Sequence, residues 1–340
     1  MKHPVIGDNV EALNRDMAEK NLGGHWQLGF ESYAPYPETT VQPCLWKWKD
    51  LYESLMRAGE VVSLEQAERR TVRLLNPALR DRQATTHTIH FSFQYVKTGE
   101  HARPHRHTAA AFRFILRGSG AYTTVNSQKC VMEQGDLILT PQLSWHDHTN
   151  DSGKPIIWLD GLDIPLVQSL QQLLFEPYPE NAQLIEKTSE EVALAPPIGT
   201  STGEVFHYKW SDAYRSLSAL VEAANPDRFD GYFFEYRNPA TGGSTMPTIQ
   251  CALSLFRPGQ ETEAHRHTST VIYHAFRGSG SSFVGDERFD WEAGDSFVVP
   301  LWYPHRHSNR AASEEAILFS MSDAPVLKSL GLYREEPVGV

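Results

Sequence analysis

The chain contains itself twice. Lys47-Trp48-Lys49-Asp50-Leu51-Tyr52-Glu53-Ser54-Leu55 returns as Lys209-Trp210-Ser211-Asp212-Ala213-Tyr214-Arg215-Ser216-Leu217, 162 residues on. Asn76-Pro77 recurs as Asn238-Pro239 at the same offset, and His105-Arg106-His107-Thr108 as His265-Arg266-His267-Thr268 at 160. His146 pairs with His305 and Asn150 with Asn309 at 159. A steady offset over roughly a hundred residues marks a duplication, and its period is far too long for a solenoid. Each copy is therefore expected to be a domain, and 340 residues suit two. The first is placed at 1–180 and the second at 181–340, with Glu176–Gly203, rich in Pro, Glu and Thr, as the crossing.

Within each copy the texture is β. Ile89–Val96, Phe112–Leu116, Ala121–Val125 and Asp136–Thr140 are short β-branched or aromatic runs separated by Gly, Asn and Ser turns. The second copy repeats them at Ile249–Phe256, Val271–Phe276, Ser281–Val284 and Ser296–Pro300. Many short strands at regular spacing predict a sandwich or jelly roll. Helical patterns flank them at Asn9–Lys20, Trp48–Ala58, Leu166–Leu174 and Asp212–Ala223.

A net charge of −11 argues against a nucleic-acid partner, which needs a cationic surface. No apolar run is long enough to span a bilayer, and the first residues carry no export signal. Three unpaired cysteines, Cys44, Cys130 and Cys251, make no disulfide framework and fit a reducing cytoplasm.

The histidines carry the chemistry. On a strand, residues i and i+2 face the same way, so His105 and His107 aim two imidazoles into one space. Forty residues later, a Gly135-Asp136 turn, a strand and Pro141 lead to Trp145-His146-Asp147-His148, which delivers a third imidazole. Neutral imidazole nitrogens suit Fe, Zn, Cu or Ni rather than Mg or Ca. Arg113, eight residues after His105, is expected on the same strand and the same inward face. A buried guanidinium needs a partner, either an anionic ligand or a protein carboxylate such as Asp160. His148, two residues past His146, should enter the same cavity, to bond a substrate oxygen or move a proton. Arg69 and Arg70 are read as lining the mouth or as a solvated helix face.

Gly99, His105-x-His107 and Gly118 resemble the first cupin motif; Gly135, Pro141, His146 and Asn150 resemble the second. The Glu that many cupins add as a fourth ligand is missing, since Ala111 and Phe112 stand there. The stretches PHRHTAAAFRFILRGSGAYT, GDLILTPQLSWHDHTN and WLDGLDIPL are similar to gentisate 1,2-dioxygenases and their relatives acting on salicylate and 1-hydroxy-2-naphthoate. That resemblance implies a bicupin, two tandem double-stranded β-helix jelly rolls with flanking helices. It also implies a mononuclear Fe(II) on His105, His107 and His146, gentisate and O2 as substrates, maleylpyruvate as product, and a homotetramer. Arg113, His148, Gln94 and Asp160 match the family's active-site positions: Gln94, Arg113 and His148 toward the substrate, Asp160 orienting His148 or Arg113.

The second copy keeps His265, His267 and His305, and His307 matches His148, but Tyr273 replaces Arg113 and Ser254 replaces Gln94. It is read as structural or as an accessory metal site. A zinc hydrolase or isomerase on the same scaffold, which would consume no O2, and a non-catalytic bicupin are the competing readings.

Overall fold

The computed structural model describes residues 8–28, 34–188 and 207–339. The chain divides into two compact units after Glu38. In the shorter, the helix Asp8–Glu19 follows the predicted apolar pattern, and Trp26 Nε1 donates to Asn14 Oδ1 at 3.0 Å. The longer unit, Thr39–Val340, carries both predicted jelly rolls.

The first jelly roll has two six-stranded sheets. One is ordered His207–Tyr208, Leu137–Thr140, Ala111–Arg117, Ile156–Leu162, His90–Val96, Thr71–Arg73. The other runs Phe175–Pro177, His101–His107, His146–Thr149, Tyr122–Val125, Gln128–Val131, Lys187–Thr188. The second roll repeats this plan, with Cys44–Trp46 at one edge and Glu335–Pro337 at another.

Strands such as His90–Val96 and Ala316–Ser322 are buried along their whole length because both faces are covered. Alternate residues face different cores. Phe91, Phe93, Phe112, Phe114 and Leu159 point into a cluster shared with the second roll, where Phe114 stacks on Phe319 at 4.1 Å. Their neighbours Val96, Ile115, Ile138 and Trp158 form a separate interior cluster. Gln94, Arg113 and Asp160 have the same parity as that interior cluster, so the alternation that builds the shared core also turns these polar groups inward.

The repeated Lys-Trp pair has a use that its spacing does not reveal: each copy docks on the other roll. Trp48 N donates to Asp295 Oδ1 at 2.7 Å, and Lys47 pairs with the same carboxylate. Reciprocally, Trp210 N donates to Asp136 Oδ1 at 2.9 Å, while Lys209 Nζ and His207 Nε2 reach Oδ2 at 3.0 and 2.8 Å. Cys44–Trp46 pairs with Ser296–Val298, and His207–Tyr208 with Leu137–Ile138. Burial pushes the Asp136 carboxyl up, but hydrogen bonds from His207, Trp210 and Lys209 outweigh this and hold it below its ordinary value.

Two glycines admit the tryptophans. Gly135 (φ +88°) and Gly294 (φ +101°) take left-handed backbone, and a Cβ on either would lie 2.7 or 2.5 Å from the Trp210 or Trp48 ring. Gly135→Ala and Gly294→Ala are expected to destabilise the protein equally, by roughly 2–5 kcal/mol, combining left-handed strain with overpacking. Urea unfolding of the two variants measures it; a loss confined to one would break the equivalence of the two docks.

Two sequence expectations change. The helix predicted at Leu166–Leu174 spans only Ile164–Ser169, because Gln171 adopts a left-handed φ of 57° and turns the chain into the strand Phe175–Pro177. The start of the expected crossing is therefore sheet: Phe175–Pro177 pairs with His105–His107, and Lys187–Thr188 runs beside Gln128–Lys129. The rest of that crossing, from 189, lies outside the described residues.

Candidate metal centre and substrate pocket

His105 and His107 lie on the strand His101–His107, and His146 opens the neighbouring strand, directly opposite His105. The ladder slips register between Ala102 and His105, an irregularity of the kind that re-aims side chains beside active sites. One nitrogen from each of the three imidazoles lies within 4.8 Å of the others, and the ring centroids are 4.4–5.4 Å apart.

Hydrogen bonds choose which nitrogen is offered. His107 Nδ1 donates to Ala109 O at 2.8 Å, and His146 Nδ1 to Ser144 O at 3.0 Å, leaving each Nε2 lone pair for a cation. His105 Nδ1 lies 2.9 Å from the Arg69 Nη2 donor and 3.3 Å from Glu68 Oε1. Burial, with Arg69, His107 and Arg113 nearby, drives His105 down to about 2. Burial likewise takes His107 to about 4 and His146 well below its usual range. Neutral imidazole is the ligating form, so the site is prepared for a metal and poor at holding a proton.

Arg113 is buried and inward, but not by the expected route. It stands on Ala111–Arg117, a strand of the opposite sheet, because the chain turns at Thr108–Ala110 after the ligand pair. Its Nη1 donates to Thr140 Oγ1 at 2.5 Å. Its Nε is 3.6 Å from Asp160 Oδ1, too long for a hydrogen bond, and has no partner. Gln94 Nε2 is a second buried donor without a partner. Asp160 also accepts from Trp158 Nε1 at 2.9 Å; burial raises its carboxyl to about 6 against the pull of Arg113.

His148 is buried 5.9 Å from the His146 ring, and its Nδ1 bonds Thr123 Oγ1. Thr123, rather than Asp160, orients it. Burial, then Arg113 and Arg69, keeps His148 well below its ordinary value, so the ring is neutral. Thr123 was not legible because a strand threonine is ordinary without its cross-strand partner.

Arg69 and Arg70 separate. Arg69 Nη2 reaches Arg103 O at 2.7 Å and His105 Nδ1 at 2.9 Å, at the edge of the triad. Arg70 is buried against Glu100 at 2.7 and 2.9 Å and serves packing. Neither lies on a solvated helix face, since the short helix Leu64–Ala67 ends before them. Phe175, also missed, packs 4.6 Å from the His105 ring. The second triad, His265, His267 and His305, has the same nitrogen spacing, within 4.8 Å.

Fold and site together define a bicupin with two three-histidine groups, one beside a buried arginine. A cupin domain model matches residues 92–162 and 252–321. The chain is 39% identical to 5-aminosalicylate 1,2-dioxygenase of Comamonas sp, over 96% of this chain and 90% of that one. It is 35% identical to gentisate 1,2 dioxygenase 1 of Aquipseudomonas alcaligenes, covering 98% and 97%. Salicylate 1,2-dioxygenase from Pseudoaminobacter salicylatoxidans, solved as adducts with gentisate, superposes with a TM-score of 0.89 at 30% identity, covering 99% and 96%. The chain belongs to the gentisate and salicylate family of ring-cleaving cupin dioxygenases.

Proposed function

We propose that this chain is an Fe(II)-dependent gentisate 1,2-dioxygenase, converting gentisate and O2 to maleylpyruvate in the breakdown of aromatic compounds. In this reading the catalytic cupin lies in residues 1–180, the second cupin in 181–340, and the working form is a cytoplasmic homotetramer. No helix among the described residues is long and apolar enough to cross a membrane.

The observation that carries the reading is the pair of buried, unpartnered donors, Arg113 Nε and Gln94 Nε2, on the interior face of a cupin whose triad is neutral. Such donors are costly unless a ligand supplies oxygens, and a hydroxylated benzoate supplies several. His105, His107 and His146 would hold the iron. When bound, it supplies the electron transfer and the coordination through which O2 and a hydroxybenzoate react. The protein's own part is electrostatic and orienting. Arg113 neutralises substrate charge where water is excluded, Gln94 holds an oxygen, and His148, steered by Thr123, bonds a phenolic oxygen or moves its proton. Asp160 keeps the Arg113 guanidinium in place.

Gentisate is preferred because its 5-hydroxyl, para to the 2-hydroxyl, donates electron density that eases transfer toward O2. A 5-amino group does the same, and the similarity to a 5-aminosalicylate enzyme supports 5-aminosalicylate as a second substrate. The test is oxygen uptake by anaerobically iron-loaded protein with gentisate, 5-aminosalicylate, salicylate and 1-hydroxy-2-naphthoate. Gentisate should exceed salicylate in kcat/KM at least about tenfold, a difference of about 1.4 kcal/mol. A higher kcat/KM for the naphthoate overturns the substrate assignment, and no uptake with any of the four overturns the reaction.

A further inference from the structure

We propose that Thr248 of the second roll, acting through Asp163, fixes the peptide group that orients His107 in the first metal centre. The second roll is thereby a positioning partner of the first. His107 Nδ1 donates to Ala109 O at 2.8 Å, and the N–H of that same peptide group, Ala110 N, donates to Asp163 Oδ1 at 2.8 Å. A peptide group is planar, so holding its N–H fixes the direction of its carbonyl. Asp163 N returns a bond to Ala110 O at 3.3 Å. The other carboxylate oxygen, Oδ2, accepts from Thr248 Oγ1 at 2.6 Å. Thr248 stands just before Gln250–Phe256, a strand of the second roll. A hydroxyl of one roll therefore ends a relay that begins on a histidine of the other.

Asp163 is built for this contact. It is buried, as are Ala109 and Ala110. Burial pushes its carboxyl up against the hydrogen bonds from Thr248 and Ala110, and no cation is among the groups that steady it. It occupies the N-cap of the helix Ile164–Ser169, where an aspartate usually accepts from the helix's own N–H groups, yet its side chain makes no such bond. A buried carboxylate met only by neutral donors is costly in a core. Here both of its oxygens are spent on the turn behind His107 and on the second roll. An anionic acceptor on the N–H also polarises the peptide, so Ala109 O accepts more strongly from His107. An outer partner of that kind orients a ligating imidazole and raises its basicity.

The duplication repeats the device in the opposite sense, each partner 160 residues on. Asp323 Oδ1 accepts from Thr270 N at 2.9 Å and Oδ2 from Thr88 Oγ1 at 2.6 Å, while His267 Nδ1 donates to Ser269 O at 2.9 Å. There the hydroxyl belongs to the first roll and the peptide group to the second. Thr88→Val thus removes the same kind of bond between the rolls as Thr248→Val, but it acts on the other turn. Thr248 and Asp163 work through Ala109 and His107, as positioning residues rather than catalytic ones.

The experiment loads protein anaerobically with Fe(II), adds excess ferrous chelator and follows the absorbance of the chelate. Each variant is made in wild type and in a His265→Ala/His305→Ala background, where released iron comes from the first triad. Thr248→Val should release iron about tenfold faster than its parent, while Thr248→Ser, which keeps the hydroxyl, and Thr88→Val should stay within about twofold. The urea midpoints of the two valine variants should fall together, so lost stability cannot account for the difference. Thr248→Ala gives the same reading if the valine variant fails to fold. Equal release rates for the Thr248→Val and Thr88→Val proteins, whether both rise or neither does, overturn the proposal. So does a serine variant as fast as the valine one. The inference rests on the first triad holding the metal, and a parent that binds no iron ends both. A parent that binds iron but takes up no O2 fails only the ring-cleavage reading, since the release rate needs no turnover.

Discussion

His105→Ala, His107→Ala and His146→Ala are each expected to lose iron and at least about a thousandfold in turnover, some 4 kcal/mol of transition-state stabilisation. The three side chains are not interchangeable with water. The Nδ1 atoms of His107 and His146 are already committed, to Ala109 O and Ser144 O, so these rings present Nε2 to the shared space without reorganising, while His105 Nδ1 lies between Arg69 Nη2 and Glu68 Oε1. Removing one leaves two ligands for a cation that needs at least three to stay fixed. The fold should survive, because the shared core of Phe93, Phe114 and Phe319 is built on different sheets from the strands that carry the three histidines. Iron stoichiometry, oxygen uptake and thermal unfolding are measured on the same preparations. An iron-free His107→Ala protein with wild-type turnover would end the three-histidine account.

Arg113→Met should fold, keep its iron and lose most of kcat/KM for gentisate. A charge-assisted contact in a partly water-excluded cavity is worth roughly 2–4 kcal/mol, a factor of about thirty to a thousand in rate. Arg113 qualifies by geometry: it is 4% exposed and its Nε has no acceptor. The variant leaves Asp160 buried beside a neutral side chain, so Arg113→Met/Asp160→Asn separates loss of substrate binding from the strain of an orphaned carboxylate. Tyr273→Phe, the matching change in the second roll, should leave kcat/KM within about twofold, well under 1 kcal/mol. Turnover near wild type in Arg113→Met would reduce Arg113 to an ion-pair residue.

The duplication, the jelly-roll class and both histidine triads were legible in the sequence because each rests on local order. Strand alternation decides that His105 and His107 share a face, and a glycine turn before His146 decides where the next strand starts. The position of Arg113 was legible for the wrong reason. Its even spacing from His105 suggested one strand, whereas the turn at Thr108–Ala110 sends it to the opposite sheet, which faces the same interior.

What only the tertiary structure decided are contacts between segments distant along the chain. Thr123 meets His148 across two paired strands. Arg69 reaches His105 from a loop 36 residues earlier. Glu335 supports His265 from 70 residues away. The repeated Lys-Trp pair announced two equivalent helices, but nothing local records that each clasps the other roll's Asp136 or Asp295. Periodicity specifies which way a side chain points relative to its own backbone; which distant backbone arrives to meet it depends on how the sheets close and pack.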